Sequence, residues 1–210
     1  MAQQDWRQLL LSGLAQLRLE LPPDGPVKLL AFIELLAKWN SAYNLTAVRE
    51  PAEMVNKHLL DSLAVAPFLH DRKILDAGTG AGLPGIPLAV AFPERHFTLL
   101  DSNGKKTRFV THAATTLGLK NVEVVQVRAE DYRPEEPFDT VTSRAFASLT
   151  EFLDMTAHLC APVGRWLAMK GEPPDNELQK LPAGFRLIAV HPIRVPGLDA
   201  QRCVVEVVKA

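Results

Sequence analysis

Ile74-Leu75-Asp76-Ala77-Gly78-Thr79-Gly80-Ala81-Gly82-Leu83-Pro84-Gly85 runs a short apolar segment straight into a cluster of glycines. The first three residues have the length and apolarity of a buried strand. Gly78, Gly80, Gly82 and Gly85 let the chain turn sharply and let a ligand approach the backbone where a Cβ would collide. A helix beginning between Leu83 and Ile86 would aim its free amide groups back at the loop. Strand, glycine loop and helix in this order open a βαβ unit, and in open α/β sheets ligands sit at the carboxyl ends of the strands.

Outward from this stretch the period of the sequence changes. Toward the C-terminus, apolar or β-branched runs recur at Lys73–Asp76, His96–Asp101, Val122–Val127, Phe138–Ser143, Arg165–Lys170, Phe185–Val190 and Cys203–Lys209. They alternate with helical patterns near 85–92, 105–117, 149–160 and 176–181. This alternation predicts an α/β fold, with a mostly parallel, Rossmann-like, seven-stranded sheet covered by helices. Only Arg194–Gln201, with Pro196-Gly197 inside it, joins the last two strands, which is too short for a helical crossover. They must run antiparallel, which gives one reversed strand near the edge of the sheet.

Toward the N-terminus the spacing is helical. Leu9, Leu10, Leu14 and Leu17 form one stripe, Leu29, Ile33, Leu36 and Ala37 a second, and Val55, Leu59, Leu63 and Val65 suggest a third. Pro22-Pro23-Asp24-Gly25-Pro26 separates the first two, and residues 44–48 are too few to assign. The organisation read here is a small helical N-terminal extension over residues 1–70 and an α/β domain over residues 71–210.

Composition narrows the class. The chain has 210 residues, 47% hydrophobic and 22% charged, as an ordinary globular protein does. A net charge of −1 argues against a protein that coats nucleic acid non-specifically, though not against a local basic patch. Cys160 and Cys203 belong to no CxxC pair, and the six histidines show no HxxxH or HxH spacing, so no metal is expected. The start of the chain lacks a secretory pattern, and charges interrupt the apolar runs well short of the ~20 residues a membrane helix needs. A reduced, cytoplasmic protein with no membrane contact is expected, and a monomer.

Two cofactors compete for the glycine loop. Gly80-Ala81-Gly82-Leu83-Pro84-Gly85 satisfies the GxGxxG dinucleotide fingerprint of NAD-dependent oxidoreductases. Asp76 followed by Gly78-Thr79-Gly80-Ala81-Gly82 has the (D/E)xGxGxG form of class I S-adenosylmethionine-dependent methyltransferases. Asp76 at the loop's mouth would repel a pyrophosphate but favour a sulfonium and an ammonium. Asp101, about twenty residues on, can accept hydrogen bonds from ribose hydroxyls in either cofactor. The antiparallel end of the sheet adds weight to S-adenosyl-L-methionine, with S-adenosyl-L-homocysteine as product and no metal.

The methyl acceptor is narrowed by what the chain lacks. Amine methylation commonly uses an (N/D)PP(Y/F/W) tetrapeptide after the fourth strand, where this chain has Thr142-Ser143-Arg144-Ala145-Phe146. Methylation of a pyrimidine C5 needs a cysteine nucleophile. Cys160, in a predicted helix, and Cys203, at the start of the last strand, are both expected away from the cofactor. Acceptors that already own a lone pair remain, guanine N7 among them, and these need alignment more than a base. Arg144 could meet the methionine carboxylate, stack on a base or bond a guanine edge, or else form a surface salt bridge. Arg128, Ala129, Glu130 and Asp131 follow the third strand, where class I enzymes contact adenine, or form a solvated charge run. Lys105, Lys106 and Arg108 open the next helix, on an exposed face or facing phosphate.

Further segments carry a family resemblance. They are Asn44-Leu45-Thr46, His58-Leu59-Leu60-Asp61-Ser62, the run Asp76–Pro87, Leu99-Leu100-Asp101-Ser102, Arg128-Ala129-Glu130, Ser143-Arg144-Ala145-Phe146, Lys170-Gly171, and Pro196-Gly197-Leu198-Asp199 followed by Arg202. In this order, from about residue 40 onward, the chain resembles the RsmG (GidB) family, bacterial methyltransferases that modify guanine N7 in the 530-loop region of 16S ribosomal RNA. The resemblance implies cofactor contacts at Gly78, Leu83, Ala129, Glu130 and Arg144. It also implies a basic rim of Arg128, Lys170 and Arg202 facing the RNA, and a link from Asn44, His58 and Asp61 to the pocket. The full candidate cofactor set is Asp76, Gly78, Gly80, Gly82, Leu83, Asp101, Ser102, Ala129, Glu130 and Arg144. Arg144 is the positioning residue, no general base is expected, and Arg128, Lys170, Arg202 and His58 face the substrate. The partner implied is 16S rRNA in an assembled small-subunit particle. A small-molecule methyltransferase, an NAD-dependent oxidoreductase and a catalytically silent RNA-binding protein are the alternatives.

Overall fold

The computed structural model describes residues 2–144, 146 and 148–210, and the side chains from residue 5. Ala145 of the Ser143–Phe146 run lies outside the described residues. Helices α1 (Ala2–Leu17) and α2 (Gly25–Tyr43) come first. Pro26 opens α2, where its missing N–H costs nothing, and Asn44 ends it in the left-handed region at φ 49°. The third apolar stripe is a segment of changing pitch: α3 (Pro51–Met54), a π turn (Val55–Leu60) and α4 (Asp61–Leu63).

Seven strands follow: β1 (Lys73–Ala77), β2 (His96–Asp101), β3 (Val122–Gln126), β4 (Phe138–Ser143), β5 (Cys160–Lys170), β6 (Phe185–Ile193) and β7 (Arg202–Lys209). Between them lie α5 (Gly85–Ala91), α6 (Gly104–Thr116), α7 (Leu149–Thr156) and α8 (Asp175–Leu178). The sheet order is β3-β2-β1-β4-β5-β7-β6, parallel except for β7, which runs against both neighbours. The reversed strand predicted near the edge is thus β7, inserted between β5 and β6.

The helix predicted to reach residue 160 stops at Thr156, and Cys160 opens β5 instead. Ser148 starts that helix by accepting from the Glu151 amide at 3.1 Å, as a Ser-x-x-Glu sequence favours. Asn103 caps α6 in the same way, accepting from Lys105 N at 2.9 Å.

One apolar core joins the N-terminal helices to the α5–α6 face of the sheet. Leu10, Phe32, Ile33, Leu36, Leu59, Ile86, Phe97 and Phe109 are all fully or almost fully buried within it. A second core, around Trp166, Phe152 and Val205, packs α7 against the opposite face. At ~1.5–3 kcal/mol for each buried large side chain, the first core fixes the α3–α4 segment firmly against the sheet. This packing brings Lys57, His58 and Asp61 to the strand ends.

Candidate active site

The glycine loop leaves β1 at the carboxyl end of the sheet. Gly78 and Gly80 adopt φ of +69° and +61°, a region that disfavours L side chains. A Cβ on Gly80 would meet only the Gly78 carbonyl oxygen at 3.9 Å, and one on Gly78 only the Phe146 ring from 3.6 Å. The space in front of both residues is open: this is a cradle into which a ligand can press.

Beneath it lies Asp76, placed by the sequence at the loop's mouth but fully buried in the structure. Its Oδ2 accepts from Thr79 Oγ1 at 2.6 Å and Gly85 N at 2.8 Å, tying loop to helix, while Oδ1 has no partner. Burial raises its pKa to about 6, opposed by those two hydrogen bonds and by Arg144. Asp101 braces the loop from β2. One oxygen accepts from Gly80 N at 2.9 Å and the other from Asn103 N at 2.8 Å. Each carboxylate oxygen keeps a further lone pair for a ligand hydroxyl. Ser102 is exposed beside it. Past β3, Ala129 is buried in a short 3₁₀ turn, and Glu130 lies 3.8 Å from the exposed Arg128. An open glycine cradle, an acid at the second strand end and a buried polar oxygen below suit a ligand with a cationic amino-acid end and a ribose.

Next to the loop is a cavity of about 580 Å³. Arg144, Lys170 and Arg202 line it with His58, Asp61 and Cys203, over an apolar wall that includes Val48 and Leu198. Arg202 Nε donates to Asp61 Oδ1 at 2.9 Å, and Arg144 Nη1 donates to Asp61 Oδ2 and to the Lys57 carbonyl, both at 3.3 Å. The Asp61 side chain is 5% exposed, its arginine partners 26% and 29%. Lys170 is held by Glu177, 3.3 Å away, which also accepts from the Leu149 amide. Four cations, Lys57 among them, therefore line the cavity with Asp61, while Glu177 holds Lys170 and Glu53 holds Lys57.

His58 stands in the π turn. Its Nδ1 bonds the Lys57 carbonyl and its Nε2 the Thr46 hydroxyl, both at 2.9 Å. A carbonyl only accepts, so Nδ1 carries the proton and Thr46 donates to Nε2. Burial, and then Arg144, press its pKa down to about 4, so the ring is neutral near pH 7. The Asn40 side chain orders the 44–48 segment, accepting from Thr46 N at 2.9 Å and donating to the Val48 carbonyl at 3.2 Å.

The structure thus brings together Arg144, Lys170, Arg202 and His58, and leaves Arg128 outside the cavity at the β3 end. Cys203 departs from its expected place. Because β7 is reversed, its first residues lie at the carboxyl end of the sheet, with Cys203 paired to Lys170. Burial raises its thiol pKa, which keeps it from acting as a thiolate. Asp61, the hub of the cavity, was named by the family resemblance alone as a link to the pocket, and Glu177 carried no signal. A second cavity, of about 540 Å³, opens at the amino ends of the strands between Lys73, His96 and Glu136, away from the loop. Among the described residues no helix is long and apolar enough to cross a membrane.

Comparison with known proteins fits this geometry. The chain superposes with a TM-score of 0.62 on a glycopeptide N-methyltransferase complexed with S-adenosyl-L-methionine, at 14% identity, covering 73% of this chain and 87% of that one. At that identity the likeness speaks for the fold alone. It is 58% identical over 195 residues to a ribosomal RNA small subunit methyltransferase G of Ectopseudomonas mendocina (strain ymp), covering 92% of this chain and 91% of the relative. The counterpart in Stutzerimonas stutzeri (strain A1501) is 56% identical with the same coverage. The family described as GidB, rRNA small subunit methyltransferase G, matches residues 27–205, and the chain belongs to it.

Proposed function

We propose that this chain is a 16S rRNA (guanine-N7)-methyltransferase that acts in the 530-loop region and uses S-adenosyl-L-methionine as donor. The observation that carries this reading is the adjacency of an open glycine cradle to a cavity walled by Arg144, Arg202 and Lys170. When bound, S-adenosyl-L-methionine supplies a methyl group made electrophilic by its sulfonium. Gly78, Gly80, Gly82 and Leu83 would hold its amino-acid end, with Asp76 bracing the loop beneath. Asp101 and Ser102 would bind the ribose, and Ala129 and Glu130 the adenine.

The chemistry asked of the side chains is positioning. N7 bears no proton, so no general base is required, which agrees with a neutral, doubly bonded His58 and a protonated Cys203. Arg144, held by Asp61 at the end of β4, orients the base between donor and cavity. Asp61 offsets part of the charge of Arg144 and Arg202, and Glu177 and Glu53 offset that of Lys170 and Lys57. The remaining positive charge attracts phosphate without strongly opposing the charge that the methylated ring acquires. Arg128 extends the basic rim toward RNA beyond the cavity. The chain's net charge of −1 supports recognition of an assembled small-subunit particle over free RNA. The reading takes the enzyme to be a cytoplasmic monomer. Residues 1–70 act in this reading as an extension that closes the cavity of a 71–210 methyltransferase domain.

The test is mass spectrometry of 16S rRNA from a strain lacking the gene, with and without a plasmid copy. One N7-methylguanine of the 530-loop region should disappear and return. Survival of every N7-methylguanine would sink the reading, as would calorimetry in which NAD binds and S-adenosylhomocysteine does not.

A further inference from the structure

Three rings stand in a column where α2 meets α6. Tyr43 stacks on Trp39 with centroids 5.3 Å and planes 28° apart, and Trp39 meets the His112 ring at 5.2 Å and 33°. Trp39 is anchored inward on the buried Phe109 at 5.6 Å. Tyr43 and His112 are exposed, so the column is rigid at its centre and open at its ends. The stacking holds the outer rings in place, so Tyr43 presents a pre-ordered aromatic face to solvent.

Beside the column a surface groove of about 490 Å³ follows α6 toward β3. It is lined by Arg108, His112, Thr107, Thr111, Thr115 and Gln126, with no carboxylate among its residues. Lys105 is exposed just before Arg108, and the first turn of α6 carries no acid. Positive charge at a helix N-terminus opposes the helix dipole, a cost that an incoming anion removes. Hydroxyls, an amide, a guanidinium and open rings are the groups that meet phosphates, 2′-hydroxyls and unstacked bases. The same end of α2 serves the cavity: Asn40, next to Trp39 in the chain, donates to the carbonyl of Val48 in the cavity wall at 3.2 Å.

We propose that the end of α2 and the outward face of α6 form a docking surface for single-stranded RNA flanking the methylated nucleotide. Tyr43 takes a base on its open face, and Arg108 and Lys105 take phosphates. This rests on the ribosomal RNA reading above. The test is filter binding of the full chain, without methyl donor, to small subunits from the deletion strain and to their protein-free 16S rRNA at several salt concentrations. Tyr43→Ala should weaken binding to both about five-fold or more, and Tyr43→Phe should restore it. The double variant Lys105→Ala/Arg108→Ala should flatten the log–log salt dependence by about 1.4, while Arg186→Ala on β6 should match wild type. Wild-type affinity for Tyr43→Ala at every salt concentration overturns the surface. So does a Tyr43→Phe defect equal to that of alanine, or a loss confined to assembled subunits, which would assign the face to a ribosomal protein. Wild-type protein that binds yet transfers no radiolabelled methyl group would overturn the proposed function, not this surface.

Discussion

Replacing Asp61 by Asn changes one oxygen to an amide nitrogen and nothing in size. In the wild type each carboxylate oxygen serves a different arginine, Oδ1 to Arg202 at 2.9 Å and Oδ2 to Arg144 at 3.3 Å. The amide can accept from one of them only, and its NH₂ then faces the other guanidinium. One charge-assisted hydrogen bond, worth ~1.5–3 kcal/mol, is lost, and the second falls to the ~1 kcal/mol of a neutral acceptor. The guanidiniums are 26% and 29% exposed, so water recovers part of this. The expected cost is about 2 kcal/mol, or roughly 4–8 °C in Tm at ~2–4 °C per kcal/mol for a chain of this length. Such a protein remains folded at 25 °C, and its activity there reads the placement of Arg144 and Arg202. If Asp61 positions Arg144, kcat/KM for small subunits should fall about ten- to a hundred-fold, with donor affinity kept within a few-fold. Calorimetric melting, donor titration and methyl transfer to small subunits are the three measurements. A Tm within a degree of wild type together with unchanged kcat/KM would refute both the energetics and the role.

Four further outcomes follow from other parts of the site. Gly80→Ala places a Cβ in open space at φ +61°, so about 1–2 kcal/mol of backbone strain should leave the protein folded while donor affinity falls at least ten-fold by calorimetry. Gly85→Ala drives its Cβ to 2.0 Å from Leu99 Cδ2 and 2.8 Å from Asp76 Oδ2, and should lower Tm well below that of Gly80→Ala. Asp76 binds its proton more tightly in the fold than in the unfolded chain, so its contribution to stability is present below about pH 4 and lost as pH rises to about 6. Denaturant titrations across that window should show a negative slope contribution in wild type that is missing from Asp76→Asn. His58 has the opposite sign. Its pKa lies near 4 in the fold against an ordinary 6.5, so stability should fall as pH drops through this interval, and less so in His58→Gln.

The sheet was legible because each of its signals is local. Seven apolar runs, a connection too short for a crossover and a glycine cluster after the first run suffice for the number of strands, for one reversed strand near the edge and for the ligand loop, but not for the order of the strands. The cradle was legible for the same reason: its glycines are contiguous in sequence. Asp61 was named only through the resemblance and by no local pattern, because its importance comes from two arginines at positions 144 and 202, brought to it by tertiary packing. Cys203 was misplaced because the start of a reversed strand belongs to the site end of the sheet, a consequence of β7 lying between β5 and β6. Asp76 was assigned an electrostatic task at the surface, whereas burial makes it a brace for the loop.

The π turn at Val55–Leu60 carries a consequence for how this segment can change in length. An α-helix advances ~100° per residue, and a π turn absorbs one extra residue without a loop. Deleting any one residue between 55 and 60 would let the segment relax to a regular α-helix. The residues on either side, Asp61 among them, would keep their phase, because the π turn is what absorbs the extra residue. What the deletion would change is the turn that presents the Lys57 carbonyl, to which His58 Nδ1 and Arg144 Nη1 both bond. The irregularity therefore sets a hydrogen-bond acceptor at the cavity's edge rather than the pitch of the helix beyond it.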